Sequence, residues 1–337
     1  MKMLLIGGSG ILGSAIAATA SEQGYDVTSI ATECGAQYPS KAKFVQARTG
    51  SSEFESVIEN IVDEERKWDI VVDVIGSDGE DALRTYRIFK NRCDRLFAIS
   101  TTLVYDRLTK FTYSPIQTGH PLASPGRQGG YVDKKLSMER FWQEHPDVRW
   151  TILRPYHILG PGSWLGCIPP HNRDPQLVEE LQKEHMLILS DGGRIPLNVV
   201  HPKDIGELIL RAAKREATIH KCYNAVNPTE VIARDYYGEI AQQLGRSIRI
   251  HSETSERTAW YFSREWQLTT LPHIYDVSDL EKDIAFVPSI PLRDCIRDSL
   301  QNQPIDRPQR RQTEVHKRMN VEPLPSTPNT YRDYYHE

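Results

Sequence analysis

Tyr131 and Lys135 stand four residues apart, so on a helix they share one face. An ammonium beside a phenol stabilises the phenolate and draws its pKa from about 10 towards neutrality. Such a tyrosine can pass a proton to or from a hydroxyl or carbonyl while hydride moves at the adjoining carbon. A serine or threonine hydroxyl nearby would hold the same oxygen. Tyr86 and Lys90 repeat the spacing, and multiplying residue frequencies gives about 0.6 such pairs by chance. Position separates the two. Tyr86 precedes the strand Arg95–Ser100 in a helix with Leu83 and reads as surface or packing. Tyr131 follows that strand and the hydroxyl cluster Ser100-Thr101-Thr102, and a strand end is where an α/β sheet presents ligand groups.

A second cluster lies at the start of the chain. Gly7-Gly8-Ser9-Gly10-Ile11-Leu12-Gly13 follows an apolar run and opens an Ala-rich helical stretch. Gly7 permits the tight turn, Gly10 lets the backbone approach a pyrophosphate, and Gly13 lets helix and strand pack closely. The free N–H groups and the positive dipole end of the helix would hold the phosphates. The plain alternative is a purely structural tight turn. In NAD binders an acid at the end of the second strand bonds the ribose; here that place holds Ala31 and Thr32, and the nearest acid is Glu33. Arg48, after the third strand, is the cation that could reach a 2′-phosphate. NAD and NADP both remain open, and the missing acid tips the reading slightly to NADP.

These groups need strands and helices to position them. Met3–Ile6 reads as a buried strand, Ile11–Gln23 as a helix closed by Gly24, Tyr25–Ile30 as a strand and Lys43–Gln46 as a third. Glu53–Arg66 is helical, Trp68–Ile75 a strand covered on both faces, Asp81–Asn91 a helix, Arg95–Ser100 a strand, Tyr131–Gln143 a helix and Trp150–Leu153 a strand. Such alternation implies a Rossmann-type, doubly wound parallel sheet. Further on, prolines at 161, 169, 170 and 175 punctuate a loop-rich stretch. Helices are expected at Pro175–Glu184, Pro202–Arg215 and Ala233–Leu244, and strands at Val199-Val200 and Cys222–Ala225. The expected organisation is a dinucleotide-binding core over 1–155 with returning segments near 195–230, a smaller C-terminal substrate-binding lobe over 156–302, and a flexible tail over 303–337.

The 337-residue length suits about two domains. A net charge of −4 argues against a nucleic-acid binder. No stretch resembles a membrane span or a secretory leader. Five widely spaced cysteines without a CxxC fit reduced thiols in the cytoplasm. Eleven histidines without HExxH, and no paired cysteines, give no reason to expect a catalytic metal.

Taken in order, the pieces resemble an extended short-chain dehydrogenase/reductase of the NAD-dependent epimerase/dehydratase type. They are GGSGILG at 7–13, WDIVVDVIG at 68–76, FAISTTLVYD at 97–106, YVDKK at 131–135, LRPYHILGPG at 153–162, VVHPKDIGELI at 199–209, YNAVNP at 223–228 and YDVSDLEKDIAFVP at 275–288. The resemblance spans roughly residues 1 to 300. It implies Tyr131 as acid/base, Lys135 on the nicotinamide ribose and tuning Tyr131, and Thr101 as the catalytic hydroxyl with Ser100 beside it. It further implies Gly7, Ser9, Gly10, Ile11, Leu12 and Gly13 at the pyrophosphate, Thr32 and Arg48 at the ribose, Gly76 beside the adenosine, and Pro155 and Ile158 near the nicotinamide. Substrate contacts fall on Ser100, His157, Trp164, Asn172 and Arg173. His201 and Asp204 read as structural, at the start of a helix.

Three departures mark an atypical branch, similar to chloroplast stem-loop-binding proteins. The acids usual after the second and third strands are missing, the latter replaced by Ala47. Leu197 occupies the place of a phosphate-binding arginine, with Arg194 off register. Apart from these three, Thr102-Leu103 stands where dehydratases place an Asp-Glu pair, which makes dehydration the less favoured activity. The expected function is an NAD(P)-dependent epimerase or reductase acting on a sugar-like small molecule, as a homodimer through helices near Asp81–Asn91 and Tyr131–Gln143. The competing class is a non-catalytic nucleotide sensor or RNA/protein scaffold; the joint presence of Thr101, Tyr131 and Lys135 argues against it.

Overall fold

The computed structural model describes residues 1–303 except 36, 49–51, 66, 109, 111–113, 167–173, 175 and 255–269. The expected tail beyond Gln303, Asn172 and Arg173 therefore lie outside the described residues. The first half alternates strand and helix: β1 (Lys2–Ile6), α1 (Ile11–Glu22), β2 (Asp26–Ala31), β3 (Lys43–Gln46), α2 (Ser52–Glu65), β4 (Trp68–Asp73), α3 (Gly79–Phe89), β5 (Cys93–Ile99), α4 (Gly130–Gln143) and β6 (Trp150–Arg154). The second half adds β7 (His157–Ile158), α5 (Leu177–Gln182), β8 (Met186–Ser190), β9 (Pro196–Leu197), β10 (Val199–Val200), α6 (Pro202–Ala212) and β11 (Lys221–Asn224). It closes with β12 (Val231–Ile232), α7 (Ala233–Gln243), β13 (Arg249–Glu253), α8 (Ser278–Ile284) and α9 (Leu292–Gln301).

Seven strands form one sheet in the order β11-β6-β5-β4-β1-β2-β3. Every neighbouring pair is parallel. Strand side chains alternate between two buried faces, which explains the nearly unbroken apolar runs. Met3, Leu5 and Val72 face α1 and α6 through Ile16, Ala17, Ile205 and Leu208. Leu4, Ile6 and Val71 face α2 and α3 through Phe54, Ile58 and Phe89. Leu96, Ala98 and Ile152 face α4 through Met138 and Trp142. α1 and α6 cross closely because Gly206 leaves room: a Cβ there would lie 3.0 Å from Thr19 Oγ1.

The chain order reverses between β1 and β4, leaving a crevice beyond their carboxyl ends, where such sheets bind ligands. The opposite end is closed by Arg95. Its guanidinium, buried at the start of β5, donates to the carbonyls of Ala212, Ala213 and Arg215 and to the hydroxyls of Thr151 and Thr218. It thereby satisfies carbonyls at the C-terminal end of α6, where helices leave acceptors unpaired.

A second apolar cluster around Leu187, Leu189, Tyr236, Ile240 and Ile296 organises the C-terminal portion. β8 and β13 pair there in parallel; neither is marked by the sequence reading, and nor are α8 and α9. His201 caps α6, its Nδ1 accepting from Lys203 N–H at 3.2 Å. Asp204 does more than complement the helix dipole: its Oδ2 accepts from Ser289 and Ile290 N–H, each at 2.9 Å. The end of α9 reaches back to the crevice. Ser299 Oγ donates to Gly160 O, Gly162 N–H to Asn302 O, Gln303 to Ser163 O, and Gln37 to the Asn302 side chain.

Candidate functional site

The glycine turn joins β1 to α1 at the reversal of strand order. Gly7 has φ +88°, a left-handed conformation, and a Cβ there would lie 2.2 Å from Ile75 Cγ2. A Cβ on Gly13 would sit 2.4 Å from the Gly7 carbonyl. Gly10 differs from both, since a Cβ there would have no protein atom within 4 Å. Protein packing therefore does not demand glycine at position 10, and the space beside it is open. No side chain caps the start of α1, so its first N–H groups face that space with the helix dipole behind them.

The turn forms one wall of a cleft of about 640 Å³, within the usual range for a small-ligand site. Gly7, Ser9, Gly10, Ile11, Leu12 and Gly13 all line it, as do Thr32 and Gly76. Ala31 and Ala47 line it too, where acids are usual. Arg48 is exposed and is not among the lining residues, so the structure does not bring this candidate into the cleft. Asp73, Asp81 and Arg84 do line it and have no place in the sequence reading. A signal for the first was available: an acid inside the doubly covered run of β4.

Asp81 is occupied by the Ser77 N–H and hydroxyl and by Arg84. Asp73 is buried at the end of β4, and burial holds its carboxyl above the ordinary aspartate value.

Lys135 meets the cleft lining at Gly76. Its ammonium donates to the Gly76 carbonyl at 2.7 Å and to the Ile99 carbonyl at 2.8 Å, so α4 is pinned to the ends of both β4 and β5. An ammonium has three protons, and the two carbonyls leave one for a ligand. Burial lowers the Lys135 pKa, opposed by Asp73, Glu139, Asp81 and Asp78. Tyr131 lies in the first turn of α4 and is 47% exposed.

Thr101 follows β5 in extended conformation, its Oγ1 accepting from Leu103 N–H at 3.2 Å. Ser100 is buried, with its N–H on the Leu153 carbonyl, and its hydroxyl has no hydrogen-bond partner among the described residues. Pro155 accepts from Thr102 N–H at 3.0 Å, joining the end of β6 to the hydroxyl loop. Ile158 and His157 form the two-residue β7, which pairs with β10; His157 lies edge-on to Tyr236. Trp164 is half-buried on the loop beyond. The structure thus gathers Thr101, Ser100, Pro155 and Lys135 at neighbouring strand ends, with Tyr131 on the helix that carries Lys135.

Behind them lies a buried network. Arg154 makes two hydrogen bonds to Glu139, at 3.0 and 2.6 Å, and a third to the Tyr105 hydroxyl, which donates to Asn224. Burial works against the guanidinium's charge and Glu139 more than restores it, so its pKa lies above the ordinary arginine value. Burial pushes the Tyr105 phenol up to about 12.

The family model for the NAD dependent epimerase/dehydratase family matches residues 3–225. The chain belongs to this family. Solved structures of the family's fold agree over nearly the whole chain. An epimerase of Methanothermobacter thermautotrophicus superposes with a TM-score of 0.72 at 15% identity, over 95% of this chain and 94% of that one. A UDP-glucose 4-epimerase of Thermotoga maritima, solved with UDP-glucose, gives 0.69 at 16% identity over 90% and 98%. A UDP-glucuronic acid 4-epimerase of Bacillus cereus, in complex with NAD, gives 0.65 at 15% identity over 88% and 97%. Among curated protein sequences, none matches the chain. Family membership carries with it the extended short-chain dehydrogenase/reductase fold and an enzyme of the NAD-dependent class. No helix among the described residues is long and apolar enough to cross a membrane.

Proposed function

We propose that this member of the family is an epimerase or oxidoreductase acting at a hydroxyl or ketone of a sugar-like small molecule. One observation carries the reading: Lys135 bridges the ends of β4 and β5 beside the glycine cleft, on the helix that bears Tyr131. The bound nicotinamide dinucleotide supplies the hydride donor and acceptor. The residues present fit it: the open space at Gly10 and the uncapped α1 suit a pyrophosphate, and the third Lys135 proton suits a ribose hydroxyl. Tyr131 moves the proton at the substrate oxygen, which Thr101 orients with Ser100 behind it.

NAD is the cofactor this reading favours. Arg48 stands away from the cleft lining, and the tilt towards NADP then rests only on the absence of an acid at Ala31 and Thr32. The substrate need not carry a phosphate held at position 197, because Leu197 is 1% exposed and packs within the C-terminal core. His157 and Trp164 are proposed substrate contacts, and the C-terminal lobe is their scaffold. Pairing of two copies through α3 and α4 belongs to the same reading. So does a reducing cytoplasm, in which the free thiols of Cys34, Cys93, Cys222 and Cys295 persist.

The test has two stages. NADH and NADPH are titrated against the purified protein by nicotinamide fluorescence, and sugars and nucleotide sugars are then screened for turnover. With a substrate found, Tyr131→Phe is expected to lower kcat by about a hundredfold or more while leaving cofactor affinity near native. Unchanged kcat in that variant overturns the assigned chemistry.

A further inference from the structure

Asp73 ends a strand whose preceding residues Ile70, Val71 and Val72 are wholly buried, and is itself only 4% exposed. A carboxylate there is costly unless its oxygens are met. Oδ1 accepts from Gly76 N–H at 2.7 Å and Ile75 N–H at 3.2 Å, and Oδ2 accepts the Thr85 hydroxyl at 3.0 Å. All three partners donate, as suits an ionised carboxylate. The two backbone bonds fold the chain over Asp73, so that the carbonyl of the same Gly76 is presented to the Lys135 ammonium. A Cβ on Gly76 would lie 2.5 Å from Asp73 Oδ2, so the turn closes this tightly only around glycine.

We propose that Asp73 is a positioning residue for Lys135: it sets the turn that aims the Gly76 carbonyl, and it supplies the negative charge that keeps the buried ammonium protonated. The proposal rests on the reading of Lys135 as a group that meets the bound dinucleotide.

The other acids facing Lys135 are already committed. Glu139 pairs with Arg154, Asp81 with Arg84, and Asp78 caps α3 with Lys134 3.9 Å away. Asp73 forms no ion pair among the described residues, and the charges facing it are Lys135 and Asp81. Its field therefore falls on Lys135 without a competing cation. Burial already pulls the Lys135 pKa down, so loss of Asp73's charge would let the ammonium release its proton at a lower pH. The neutral amine would then offer a ribose a weaker donor and a nearby phenol no charge.

The experiment measures NADH affinity from about pH 6.5 upward in the full-length native protein, Asp73→Asn and Lys135→Met. The native protein is expected to hold its affinity through neutrality and lose it on the alkaline side, as Lys135 deprotonates. Asp73→Asn keeps the side-chain shape and should bind NADH within about threefold of native at the acidic end. Its alkaline fall should arrive at least about one pH unit earlier, a tenfold change in the protonated fraction at fixed pH. A merely structural role would lower affinity evenly at every pH. Lys135→Met should bind weakly throughout and lack the fall.

An Asp73→Asn curve parallel to the native one, where Lys135→Met has abolished the fall, overturns the role of Asp73 alone. Native affinity and an unchanged fall in Lys135→Met overturn the assignment of Lys135, and the proposal with it. If circular dichroism shows Asp73→Asn to be unfolded, Gly76→Ala carries the test, since its methyl displaces the carboxylate: an earlier fall supports the proposal and an unmoved one overturns it.

Discussion

Glu139 and Arg154 face each other across the join between α4 and β6, with side chains 1% and 3% exposed. Glu139 lies one helical turn beyond Lys135, so the ion pair fixes the helix that carries the proposed acid/base machinery to the strand leading into Pro155. A buried pair of this kind contributes little over an apolar pair of equal volume, but half of it is costly. Glu139→Leu alone is expected to lower unfolding free energy by about 3 kcal/mol or more, and Glu139→Leu with Arg154→Met to recover most of that. Urea denaturation of the two single variants and the double variant checks the cycle. Additive losses would show that the two side chains are not coupled.

The glycines of the first turn should separate binding from folding. Gly10→Ala adds a methyl that meets no protein atom, at a φ of −75° that alanine accepts. Its stability should stay within about 1 kcal/mol of native, while NADH affinity falls at least about tenfold, or 1.4 kcal/mol. Gly13→Ala places its methyl against the Gly7 carbonyl and should destabilise the protein by about 1–3 kcal/mol, as overpacking does. Thermal melts with and without NADH distinguish the two. Native affinity in Gly10→Ala would refute the placement of the pyrophosphate.

Arg95 gives the complementary case at the far end of the sheet. Arg95→Met removes the donor that satisfies the C-terminal carbonyls of α6 and should cost about 2–4 kcal/mol, as loss of several charge-assisted hydrogen bonds in a buried site does. NADH affinity in the folded variant should match native, because the cleft lies beyond the opposite strand ends. Denaturation midpoints together with a fluorescence titration read both quantities.

Asp73 also predicts a pH dependence of stability. Burial raises its folded-state pKa above the ordinary 3.8, so the native state binds this proton more tightly than the unfolded chain. The associated stability is present below about pH 3.8 and is lost as pH rises through the higher folded value. Asp73→Asn cannot ionise and should flatten that part of the profile. Its stability relative to native should therefore increase from acid towards neutral pH, as read by denaturation at several pH values. A constant difference across the range would count against burial as the cause.

The sequence made the first half of the fold readable because each element repeats a simple physical pattern. Met3–Ile6, Ile70–Val72 and Ile152–Leu153 are apolar on both sides, and the glycine turn stands where a β–α junction must lie. Tyr131 differs from Tyr86 by its place after β5, and six of the seven glycine-turn residues line the cleft. The second half lacked such patterns. β13 reads Arg-Ile-His-Ser-Glu and becomes a strand by pairing with β8 across a long separation in sequence, which local alternation cannot announce. Arg95 and Arg154 resemble surface cations in the one-dimensional chain. Only tertiary structure shows that each is enclosed by acceptors. Arg48 is exposed and outside the cleft lining, and a charge near the right strand end does not by itself fix the direction of its side chain.

α9 contributes no lining to the cleft, yet Ser299, Asn302 and Gln303 hold Gly160, Gly162 and Ser163, and Asn302 also receives Gln37 from the loop after β2. Both loops flank the crevice, and Gly162 packs beside Ile11 of the glycine turn. A ribosome-bound chain can complete its seven-stranded sheet once β11 has emerged, but the rim of its cleft is fastened only when the residues beyond Ser299 arrive. The seven-stranded sheet and the rim of its cleft are thus fastened by segments that lie far apart in the chain.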